Sequence, residues 1–142
     1  MSDSWTQLHS LKRGEIALLA KSCVLLPLVD LSLRIVGLGR TRRALASLIR
    51  PRPCAVADID AIAETTSRIV RIAATRSLWR VTCLRQALVL WWLLAQRGVD
   101  TQIRLGVAKD PGQAVESHAW VERNGVVLIG GDTSQERFRV LL

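Results

Sequence analysis

Three cysteines are too few for a closed disulfide framework, and none stands in the CxxC spacing that binds zinc or cycles redox state. Tyrosine is absent, and the aromatic side chains are five Trp and one Phe. None is interleaved with the basic residues as a base-stacking platform requires, so nucleic acid is not an expected partner. Long uncharged apolar runs are missing too. Lys21, Asp30 and Arg34 interrupt the most apolar stretch, Ile16 to Leu38, and its longest uncharged run is only the segment 22–29. A spanning helix takes about 20 mostly apolar residues. Met1 to Ser10 has no signal-peptide layout. The cytoplasm is therefore the expected compartment, with peripheral membrane association left open. There is no phosphate loop, no Ser-nucleophile motif and no metal-ligand spacing, so neither a metal nor a cofactor is expected.

What is present suits a globular chain. Its 142 residues are 49% apolar and 23% charged, enough to bury a core. The formal charge is +8, and seventeen of the twenty basic residues are Arg. The excess is uneven. Residues 1–54 hold nine basic and three acidic side chains, whereas residues 101–142 hold five of each. Arg40, Arg42, Arg43, Arg50 and Arg52 form the densest cluster. It reads as a solvated helix face with a basic loop, or as a docking surface for an acidic partner or membrane.

Residues 11–26 read as a helix with apolar residues on most faces. Pro27 is expected to kink or restart it, and Gly37 and Gly39 to end it. A short basic helix follows over Arg40–Leu48. Pro51-Arg52-Pro53 reads as a linker, giving an N-terminal helical appendage (1–54) and a core (55–142). Residues 58–75 carry Ile59, Ile62, Ala63, Ile69, Val70 and Ala73 at helical spacing. Cys83–Gln96 is a second strong helix, closed by Arg97-Gly98. The period then changes to two. Thr101–Val107, Ser117–Glu122 and Val126–Ile129 read as strands, the last two joined by a turn at Arg123-Asn124-Gly125. Helices followed by a short antiparallel sheet indicate an α+β fold.

Cys83 opens its helix, where unpaired N–H groups and the positive end of the helix dipole favour a thiolate. Arg80 and Arg85 could reinforce this. The chain has two His to serve as base: His9, in a polar N-terminal segment, and His118, in a strand. A third group must fix the imidazole tautomer. If the hairpin has a three-residue loop, Glu122 opposes Val126 and His118 opposes Gly130. Asp132 is then the diagonal neighbour of His118 on one face. A two-residue Asn-Gly turn shifts the register by one and sends Asp132 to the other face, unless Gly130-Gly131 bulges. Glu122 shares the His118 face and is the alternative orienter. Trp120, two residues after His118, is a candidate to shield the site, and one of Trp91 and Trp92 to line a peptide groove. Cys23 is expected in packing, and Cys54 is a candidate for exposure.

Cys83-Leu-Arg-Gln-Ala-Leu, Arg97-Gly98, Arg104-Leu-Gly-Val107 and Ser117-His-Ala-Trp-Val-Glu122 with Asn124-Gly125 together resemble the transglutaminase-like core. They look most like the leader peptidases of lasso-peptide biosynthesis. Leu11-Lys-Arg-Gly-Glu-Ile-Ala-Leu-Leu19 and Leu26-Pro-Leu-Val-Asp30 are similar to that family's helical lead-in. The resemblance implies a papain-like α+β core with Cys83 as nucleophile, His118 as base and Asp132 as orienting carboxylate. It implies removal of a leader from a ribosomally made precursor peptide, ahead of an ATP-dependent macrolactam cyclase. The first third is helical rather than strand-forming, so leader recognition is expected from a separate protein. The apolar lead-in could face membrane, cyclase or its own core, and assembly with the cyclase and helper is the expectation. A related amidase or transglutaminase, and a non-catalytic peptide- or partner-binding module, are the competing readings.

Overall fold

The computed structural model describes residues 12–77, 81–108, 111–130 and 138–141. Helix α1 runs Arg13–Ser47 and is helical throughout except at Gly37, where φ 79 and ψ 173 break the ladder. Pro27 does not restart it: the helix runs on through that position, and its non-helical residue is Gly37. The carbonyl that loses its partner there belongs to Cys23, and both residues are exposed, so water can replace the missing N–H. Gly37 does redirect the chain, as its lack of a Cβ allows. Beyond the kink, the Thr41 hydroxyl donates to the Gly37 carbonyl at 2.8 Å and accepts from Ser32 at 2.8 Å. Thr41 is buried, so this small relay holds the bend inside the fold.

A 3-10 turn at Val56–Asp58 leads into α2, Ile59–Arg76, and α3 follows over Cys83–Gln96. The helical spacing of Ala63, Ile69, Val70 and Ala73 buries one face of α2, while α3 buries Ala87, Leu88, Leu90 and Leu94. Leu18, Leu26 and Val29 of α1 join the same core. The chain after α1 is fastened to the end of α3. Trp92 Nε1 donates to the Leu45 carbonyl at 3.0 Å. The Gln96 side chain donates to the Leu48 carbonyl and accepts from Arg50 N–H, both at 2.9 Å. The Pro51–Pro53 stretch continues this attachment, with Arg52 N–H donating to the Gln96 carbonyl at 3.1 Å.

The sheet consists of β1 (Gln102–Ala108), β2 (Glu116–Arg123), β3 (Val126–Ile129) and β4 (Arg139–Val140), in the order β3-β2-β1-β4 and antiparallel throughout. Its helix face places Ile103, Ala119, Val121 and Ile129 in the main core. Ala108, Trp120 and Phe138 form a second, smaller cluster. β4 has only two residues, too few for an alternating pattern to reveal.

The β2–β3 hairpin corrects the expected register. Arg123 pairs with Val126, so the turn has two residues, Asn124 and Gly125. Both have positive φ (51 and 78), which suits the right-handed strand twist. Glu122 therefore opposes Val127, not Val126. A bulge follows, because Val121 pairs with Ile129 and leaves Leu128 extra. The extra residue sits two positions before Gly130-Gly131 and shifts the register by one more residue. Gly130 consequently packs on Trp120, where an added Cβ would meet the Trp120 Cβ at 2.5 Å.

Candidate active site

Thr82 is extended and Cys83 is the first residue of α3, so the thiol stands where the opening N–H groups have no carbonyl within the helix. Cys83 is half-buried. His118 lies in β2, opposite Gly106 of β1. The two side chains line one open cleft of about 450 Å³, together with Arg71, Gln86 and the bulged stretch Val127–Gly130. α3 packs on β2 through the core, which is how the helix start and the strand are brought to one opening.

The imidazole is held on several sides. Its Nε2 donates to the Gly130 carbonyl, since a carbonyl oxygen only accepts. In the neutral ring the lone pair is then on Nδ1, the nitrogen left for proton transfer. The His118 ring stacks on Trp120 at 6.2 Å between centroids and lies 5.4 Å from Phe138. Gly106 makes room for this packing, because a Cβ there would approach the Phe138 Cβ at 2.7 Å and the Trp120 ring at 2.9 Å. Trp120 is fully buried and donates from Nε1 to Glu122 at 3.3 Å. The other Glu122 oxygen accepts from Arg104 at 2.8 Å. Glu122 thus reaches His118 through Trp120, and the contact at the ring nitrogen is a backbone carbonyl.

Asp132 lies outside the described residues, as do His9 and Arg80. Trp91 is half-buried beneath Arg42, whose guanidinium carbon is 6.0 Å from its ring centre. It is not among the residues lining the cleft with Cys83. Arg85, expected to reinforce the thiolate, forms an ion pair with Asp30 of α1 at 2.5 Å. Asp30 also holds Arg34 at 3.0 Å. Two stretches quoted for the family resemblance, Leu26–Asp30 and the start of α3, therefore meet, and the pair braces the turn that carries Cys83. Cys23 is exposed, which corrects its expected place in packing, and Cys54 is half-buried.

Three contributors escaped the sequence reading. The Gly130 carbonyl has no side-chain signature, although φ 113 and the close approach to Trp120 explain the glycine. Arg71 sits on the exposed side of α2 and looks like any solvated helix cation. Gln86, one turn after Cys83, also lines the cleft, and an amide on a helix carries no sequence signal of that place. Among the described residues no three His, Cys, Asp or Glu gather to hold a metal ion.

A family model for the transglutaminase-like superfamily matches residues 25–142. The searches of curated proteins and of solved structures returned no match.

Proposed function

This chain belongs to the transglutaminase-like superfamily, which includes cysteine peptidases, and we propose that it is a peptidase removing the leader from a lasso-peptide precursor. The observation that most supports this is Cys83 and His118 on the walls of one open cleft, with His118 Nε2 committed to the Gly130 carbonyl. The motif resemblance around Cys83 and His118 supplies the substrate class.

In the proposed mechanism, Nδ1 of His118 takes the Cys83 proton and the thiolate attacks the scissile carbonyl. N–H groups of the first turn of α3, that of Cys83 included, receive the oxyanion. As the C–N bond breaks, imidazolium His118 protonates the departing amine of the core peptide. The leader remains as a thioester on Cys83. His118 then removes a proton from water, whose oxygen attacks the thioester, and the leader acid leaves as the thiolate returns. Asp132 is the carboxylate that the motif resemblance supplies; with Nε2 given to the Gly130 carbonyl and Nδ1 to Cys83, its proposed part is to stabilise the imidazolium by its charge, since Glu122 is engaged by Arg104 and Trp120. The freed amine suits an ATP-dependent macrolactam cyclase as the next enzyme, and a separate leader-binding protein delivers the precursor.

Incubating the protein with its precursor, with and without that leader-binding protein, and weighing the products by mass spectrometry tests this reading. One cut at the leader–core boundary, lost in Cys83→Ala, is expected. Transfer of the leader to an added amine without hydrolysis would indicate a transglutaminase. No product despite leader bound by the helper would point to a binding module.

A further inference from the structure

Helix α1 is apolar on two opposite faces. One face, carrying Leu18, Leu26 and Val29, is core. On the other, Ala17, Ala20, Val24, Leu28, Leu31 and Ile35 follow at spacings of three and four, and all are exposed. The four large ones remain 59%, 55%, 54% and 71% accessible in chain order. At 1.5 Å per residue this stripe extends roughly 27 Å. Such a continuous exposed apolar strip marks an interaction surface.

The exposed charges of α1 are of one sign. Every exposed charged residue of α1 is cationic, including Lys21 and Arg34 beside the stripe and Arg40, Arg42 and Arg43 beyond the kink. The two acidic residues of α1 are turned to the protein. Glu15 accepts from Arg68 of α2 at 2.7 Å, and Asp30 pairs with Arg85 of α3. The helix is also long and apolar enough to cross a membrane by length and composition. Crossing would pull its core face away from α2 and α3, whereas lying flat leaves the core intact.

We propose that α1 docks this stripe onto an anionic lipid surface, its apolar residues entering the headgroup boundary while the arginines engage lipid phosphates and carboxylates. The six stripe side chains are all aliphatic, and the hydrogen-bonding groups exposed at their edges are the cations Lys21 and Arg34. A protein partner typically supplies about one hydrogen bond per 100–200 Å² of interface, whereas an acyl boundary asks for none. A second copy of the chain would set cations against cations along the same rim. This surface is separate from the Cys83 cleft, so the inference stands or falls independently of the peptidase reading.

The test is co-flotation of the full chain with vesicles of phosphatidylcholine alone and of phosphatidylcholine with phosphatidylserine. Binding to the mixed vesicles, weakened by salt, is expected. Leu28→Glu with Ile35→Glu changes only exposed positions and should abolish flotation while the circular dichroism spectrum is retained. Replacing Arg40, Arg42 and Arg43 by Gln should lower partitioning by on the order of a hundredfold, at about tenfold or less per cation. Failure of the wild type to float with mixed vesicles overturns the proposal, as does unchanged flotation of the double variant. So does a lipid-free dimer that the double variant converts to monomer, which would assign the stripe to a second copy. Capture of an acidic protein partner in place of vesicles would likewise overturn it.

Discussion

The hydrogen bond from His118 Nε2 to the Gly130 carbonyl sets which nitrogen faces the chemistry. That carbonyl is where it is because Gly130 takes φ 113 and lies against Trp120 with no room for a Cβ. Gly130→Ala should therefore displace the carbonyl and the ring together. Activity per folded molecule is expected to fall on the order of a hundredfold, the usual penalty for a small misplacement. Peptide turnover normalised to near-UV circular dichroism measures this, and full activity would show that the carbonyl does not position the ring. Arg71 brings a cation to the same cleft. It should favour peptides with an acidic residue near the scissile bond over those with a basic one. Arg71→Glu should invert that preference by on the order of tenfold in kcat/KM, a magnitude suited to a partly solvated ion pair. An unchanged ratio would remove Arg71 from substrate selection.

Among the elements, α3 was legible almost to the residue, because its apolar periodicity and the Arg97-Gly98 stop agree. The helix α2 and strand β3 were equally clear. The hairpin register was not. Alternation tells which strand faces the core, but the difference between a two- and a three-residue loop, and the extra residue at Leu128, leave no mark in the hydrophobic pattern. That Pro27 does not restart the helix has a related reason. The proline's cost depends on whether the orphaned carbonyl meets water, and only the packing of α1 decides that. The tie between α1 and the Cys83 turn was invisible as well, since Asp30 and Arg85 are 55 positions apart. Asp30→Asn removes the carboxylate charge shared by Arg34 and the mostly buried Arg85. Chemical denaturation should show a loss of up to about 3 kcal/mol, with a lower kcat as the start of α3 loosens. Unaltered stability would mean that the pair contributes nothing to the brace.

At the scale of the whole molecule, the α+β architecture follows from helices that hide one face and strands that alternate. Side chains of α1, α2, α3 and the sheet share one core cluster. The Gln96 bonds to Leu48 and Arg50 close the chain onto the end of α3. Calorimetry of the full chain should accordingly give one cooperative transition. Two resolved transitions, the first removing only helical signal, would show that α1 folds apart from the rest. Sequence placed Cys83 and His118 as candidates because their local contexts carry the chemistry. It did not reveal that the cleft also takes a wall from α2, because Arg71 is distant in the chain and marked by nothing but its charge.

The most direct measurement is the rate of iodoacetamide alkylation at each cysteine, resolved by peptide mass spectrometry in the wild type and in His118→Ala. Cys23 is exposed, so accessibility alone would make it react fastest. A nucleophile served by His118 predicts that half-buried Cys83 outpaces Cys23 near neutral pH, and that the advantage disappears in His118→Ala. Cys83 reacting more slowly than Cys23, at a rate indifferent to His118, would contradict a catalytic Cys83–His118 pair.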